Sequence, residues 1–199
     1  MPATPRRLTA NLLMAAAACA LAAGAAQAQT AQGTAQASPA NEVSAEVRDA
    51  LPQARLLGRT RLSVWGFQVY DASLWATAAF AASRYASTPL ALELRYLRNF
   101  SAADIAARSL KEMRRSQPVS EAQAARWTGE MLRVFPDVRA GDRIMGVLRP
   151  GQGAAFWING KPGGEIRDAE FASLFFGIWL SPKTSEPAMR AALLAGAAE

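Results

Sequence analysis

The sequence predicts an α+β domain, an antiparallel sheet with helices packed on one face. Strand-type and helix-type segments come in runs, β-β-β-α-α-β-β-β-α-α, and do not alternate as βαβ units would. Several of the strand segments alternate apolar and polar side chains, as half-buried strands do. The helical segments carry apolar stripes behind hydroxyl or carboxylate caps.

Leu57 to Val64 and Phe67 to Trp75 read as two strands around a short turn at Trp65-Gly66, and Ala91 to Leu97 as a third. Ser101 caps a helix, with Asp104 in its first turn and Ile105, Ser109, Leu110 and Met113 at helical spacing; Pro118 breaks it. Ser120 caps a second helix whose stripe is Ala124, Trp127, Met131 and Val134, ended by Pro136. Asp142 to Leu148 and Ala154 to Ile158 are strands joined by the turn from Arg149 to Gly153. Asn159-Gly160 turns the chain toward a short strand around Glu165-Ile166. Asp168 opens a helix through Phe171, Phe175 and Trp179, three residues that read as core. Ser185, with Pro187 in the first turn, opens the last.

Ahead of this domain stands a targeting segment over residues 1–28. Arg6 and Arg7 form a positive start, Leu8 to Ala23 an apolar run, and Ala26-Gln27-Ala28 a small-x-small cleavage site. The expected address is therefore the periplasm, as a soluble protein. Cys19 raises a rival reading, a lipoprotein cleaved just before it, but the Leu expected three positions upstream is missing. Residues 29–50, rich in Ala, Gln, Thr and Ser, read as a flexible linker, and 51–199 as one domain.

Composition excludes several kinds of chemistry. The chain has no histidine and its single cysteine lies in the leader. That removes Ser-His-Asp and Cys-His catalysis and nearly all protein zinc, copper and haem sites, so no metal and no cofactor is expected. The formal charge of +6 is carried almost wholly by scattered arginines. A nucleic-acid footprint would cluster them with aromatics, so no nucleic acid is expected. Weak attraction to an anionic membrane surface is compatible with this charge, and the expected state is a monomer.

Residues 66–75 (GFQVYDASLW), Phe135-Pro136-Asp137-Val138, Gly141-Asp142-Arg143, residues 156–160 (FWING) and Phe171 to Pro182 follow one another at a shared spacing. In that order they resemble the chalcone isomerase-like family in its bacterial secreted branch, over about residues 55–196. The resemblance implies an open-faced β-sandwich, and either isomerase activity or the binding of apolar acids. In the plant isomerases an arginine on the first strand of this block holds the substrate oxygen, and a threonine and a tyrosine donate hydrogen bonds. The arginine falls on Arg59, the threonine on Asp71 and the tyrosine on Phe100; the lysine and asparagine of the next helix fall near Ala103 and Ala107. Each lost donor costs about 3 kcal/mol of transition-state stabilisation, so efficient chalcone cyclisation is not expected.

What the resemblance leaves suits an apolar carboxylate such as a fatty acid. Arg59 would anchor it, with Tyr70 or Tyr96 as second donor and Arg98 as a spare cation. A hairpin centred on Trp65 would place Arg59 opposite Asp71, so a cross-strand salt bridge is the plainer reading of that pair. Alternation then sets Tyr70 on the other face from Asp71. Two further readings stay open: an isomerase or lyase with Asp71 as base beside Arg59, and an envelope interaction module without a small ligand.

Overall fold

The computed structural model describes residues 44–197. The expected leader, Cys19 and the expected linker as far as residue 43 lie outside the described residues. Six strands form one antiparallel sheet in chain order: β1 (Arg55–Val64), β2 (Phe67–Ala76), β3 (Leu90–Tyr96), β4 (Arg143–Arg149), β5 (Gly153–Ile158) and β6 (Lys161–Ile166). Helices α2 (Ala102–Ser116) and α3 (Glu121–Val134) stand between β3 and β4, while α4 (Ala169–Leu180) and α5 (Pro187–Leu193) follow β6. The α+β expectation holds: the ten expected elements come in the expected order, with a short helix before β1 and a 3-10 turn over Ala82–Ser87 in addition.

Local chemistry sets the boundaries. Asp104 N–H donates to Ser101 Oγ at 3.1 Å to open α2, and Ser120 with Gln123 forms a full capping box on α3. Asp168 caps α4 by accepting from Phe171 N–H at 2.9 Å. Trp65 (φ 49°) with Gly66 (φ 81°), and Asn159 (φ 50°) with Gly160 (φ 81°), close the β1–β2 and β5–β6 hairpins as two-residue turns. Left-handed backbone at both central positions matches the twist of the flanking strands.

Helices α2 to α5 all pack on one face of the sheet. Ala72, Leu74, Leu92, Leu94 and Tyr96 meet Ala106, Met113, Trp127, Met131, Phe171, Phe176 and Leu193 in the main core. Aromatic rings dominate it: Phe175 lies 5.4–5.9 Å from Phe135, Phe156, Phe171, Phe176 and Trp179. Helix α5 closes directly on β1, where a Cβ at Gly58 would stand 2.1 Å from the Ala192 carbonyl oxygen. Only a glycine admits that approach.

The other face is covered too, and here the structure differs from expectation. Ala45–Ala50, read as the end of a linker, form a helix, α1. Its Val47 and the following Leu51 are buried with Trp75, Ala91, Met145 and Val147 in a second, smaller cluster. Val47 and Leu51, among charged residues and alanines, give too weak a periodicity to reveal a six-residue helix; the tertiary contact makes it.

The β1–β2 register also departs from the expected one. The two-residue turn sets Val64 against Phe67, and a bulge follows in which β2 carries Val69 as an extra residue. Asp71 therefore stands opposite Arg61, and Arg59 opposite Ser73. The expected Arg59–Asp71 pair does not form.

Candidate functional site

Alternation along the strands decides which side chains reach the helical layer. Leu62 and Val64 of β1, Val69 and Tyr70 of β2, and Leu94 and Tyr96 of β3 line a cavity of about 560 Å³ between sheet and helices. Ile105 on α2, Phe135 after α3, Phe175, Ile178 and Trp179 on α4, and Met189 on α5 complete the apolar wall. This volume falls within the ~300–1,000 Å³ of small-molecule sites.

The polar groups of the cavity are few. Tyr70 and Tyr96 are direct cross-strand partners, their rings edge to face at 6.1 Å. Trp179 Nε1–H donates to the Tyr70 hydroxyl at 3.0 Å, leaving that hydroxyl's own proton to donate. The Tyr96 hydroxyl makes no hydrogen bond among the described residues. Burial pushes the Tyr70 hydroxyl up to about 12, against the smaller opposing effect of the Trp179 bond. Burial likewise pushes Tyr96 well above the ordinary tyrosine range, with Tyr70 adding to it. Both phenols are therefore neutral donors at any ordinary pH.

Helix α2 supplies the cavity's cation. Arg108 lines it with a side chain 58% exposed, so the guanidinium stands at the opening. Its Nη2 meets Glu112 Oε1 at 2.9 Å, one helical turn on, and Glu112 is 7% exposed. Glu112 Oε2 is buried without a hydrogen bond, with Arg115 Nε 3.7 Å away. Asp104 and Glu186 also border the cavity. Among the described residues, no three acidic or cysteine side chains converge as a metal ion would require.

The residues singled out in the sequence are divided by the sheet. Tyr70 and Tyr96 line the cavity, and Phe100 packs on Tyr96 at 5.8 Å and lines it as well. Arg59 and Asp71 are on the opposite face, because their strand positions alternate with those of Leu62 and Tyr70. Asp71 is held there by Arg61, whose Nη2 donates to Oδ2 at 2.9 Å. Arg98 is exposed, its guanidinium 4.9 Å from the Phe67 ring centre near the β1–β2 hairpin end and outside the cavity. Ala103 and Ala107 are exposed on α2.

Sequence reasoning missed Arg108 and Glu112. The signal was present: Glu112 follows Ile105 and Ser109 at helical spacing, a carboxylate on the buried stripe of its helix, with an arginine four residues before it.

A protein-family model described as chalcone isomerase-like matches residues 55–195. Among solved structures, a fatty-acid binding protein of Arabidopsis thaliana is similar with a TM-score of 0.57 at 13% identity, covering 73% of this chain and 90% of that one. At that identity the likeness speaks for the fold. No curated protein matches the chain.

Proposed function

This chain belongs to the chalcone isomerase-like family, and from that premise we propose that it binds an apolar carboxylate of the fatty-acid class in the cavity between sheet and helices. The observation that carries this reading is the cavity itself: apolar on nearly every side, with two neutral phenol donors inside and a cation at its opening. The acyl chain gains from leaving water, at roughly 25 cal/mol per Å² of buried apolar surface. Arg108, and not Arg59, is the anchor, with Tyr70 and Tyr96 donating to the same head. The similarity in fold to a fatty-acid binding protein supports this reading. From the leader read in residues 1–28 we infer a periplasmic address. The isomerase reading built on Arg59 and Asp71 lacks such support, since both stand across the sheet from the cavity.

Three carboxylates also border the cavity, so the charge on the ligand head discriminates between readings. In fluorescence displacement with a naturally fluorescent polyene fatty acid, hexadecanoic acid should compete better than hexadecanol. Arg108→Gln should weaken the acid tenfold or more, the loss of one charged hydrogen bond. Glu112→Gln, which removes the acid competing for Arg108, should tighten it. Equal competition by acid and alcohol, unchanged in Arg108→Gln, would sink the carboxylate anchor; failure of the fluorescent acid to bind would sink the reading altogether.

A further inference from the structure

The opposite face of the sheet holds a second depression, about 800 Å³ and polar where the first is apolar. Two cross-strand rows make its floor. One runs Arg61, Asp71, Arg95, Arg143; the next runs Arg59, Ser73, Glu93. Arg48 of α1 lines it as well, with Ser44 and Trp75.

Its acids are already engaged. Asp71 takes Arg61 through both oxygens, at 2.5 and 2.9 Å. Glu93 accepts from Arg143 at 2.8 Å, and Glu46 of α1 pairs with the other arm of the same guanidinium. Arg59 and Arg95 are left without an ion pair among the described residues. Arg95 stands between Asp71, which Arg61 already holds, and Arg143, whose charge Glu93 and Glu46 already meet.

Arg59 is half-buried, its guanidinium 5.7 Å from the centre of the Trp75 ring, and its Nε is buried without a hydrogen bond. Trp75 is 3% exposed and its Nε1 has no acceptor; the Ser44 hydroxyl is buried without a partner too. These three atoms are enclosed by the protein itself, so the groups of this depression that a ligand meets are the side chains lining it, Arg59 and Arg95 among them. An oxyanion suits two guanidinium groups without an ion pair, because its oxygens accept from their planar N–H forks.

We propose that this depression binds a phosphate-type oxyanion, free or carried on a lipid headgroup, with Arg59 and Arg95 as its cations. The site is independent of the apolar cavity and of what that cavity holds.

Calorimetric titration of the whole chain with inorganic phosphate at low ionic strength should show saturable binding. Arg59→Gln and Arg95→Gln should each weaken it tenfold or more, while Arg108→Gln leaves it unchanged; thermal unfolding checks that each variant is folded. Co-sedimentation then separates the sources, using phosphatidylcholine vesicles with and without an equal part of phosphatidylglycerol. Sedimentation with the phosphatidylglycerol vesicles alone, lost in the Arg59→Gln/Arg95→Gln double variant, identifies the headgroup. Phosphate binding without sedimentation identifies the free ion. Absence of both, or vesicle or phosphate binding that survives in the folded double variant, overturns the proposal.

Discussion

On the helical side of the sheet, β2 and β3 present Tyr70, Ala72, Leu74, Leu92, Leu94 and Tyr96; on the other, the same strands present Asp71, Ser73, Glu93 and Arg95. The first set is held by rings and aliphatic contacts around an apolar cavity. The second is held by ion pairs and, beneath α1, by the smaller apolar cluster of Val47, Leu51, Trp75, Ala91, Met145 and Val147. Burial separates the two in energetic weight, since apolar area removed from water stabilises at every ionic strength whereas solvent screens surface charge. Stability therefore belongs mainly to one face, and the other is left freer to answer to charge.

Removing a ring from the helical side tests this contrast most severely. Phe156, 1% exposed and edge-on to Phe135 and Phe175, should lose about 3–5 kcal/mol on substitution by alanine, read from urea unfolding. A loss no larger than that from outer-face variants would break the contrast.

The phenols sharpen it in a second way. Tyr70 in the folded protein holds its proton to about 12, against 10.0 for a free tyrosine. The folded state then binds this proton more tightly than the unfolded one, so its contribution is whole below pH 10 and is lost as pH rises toward 12. Two units amount to about 2–3 kcal/mol. Urea unfolding followed from about pH 9 to about pH 12 should show that loss in the wild type and a shallower one in Tyr70→Phe. An identical slope in both would mean that Tyr70 is not buried as described.

The smallest effect belongs to the outer face. Arg61→Ala removes the Asp71 ion pair, yet both partners are well exposed, and such pairs add little. The urea midpoint should stay within experimental scatter at moderate salt. A clear shift that grows as salt is lowered would show that this face carries stability after all.

The fold was legible from the chain because each element announces itself locally: caps at Ser101, Ser120 and Asp168, stripes on α3 and α4, turns at Trp65-Gly66 and Asn159-Gly160. The site was legible only in part. Tyr70 and Tyr96 were among the candidates, but the anchor was placed on Arg59, across the sheet from the cavity. Arg108 and Glu112 went unnoticed because an i, i+4 ion pair on a helix is ordinarily a surface feature.

By itself, then, the sequence determined the order of the elements, and that Tyr70 and Asp71 point to opposite sides, because neighbouring residues on an unbulged stretch of strand do. Which of those sides the four main helices would cover was decided only by tertiary packing, since alternation distinguishes two faces without saying which meets the core. The pairing of Asp71 with Arg61 was likewise settled by one inserted residue in β2, Val69, whose carbonyl accepts from Leu97 N–H at 2.9 Å.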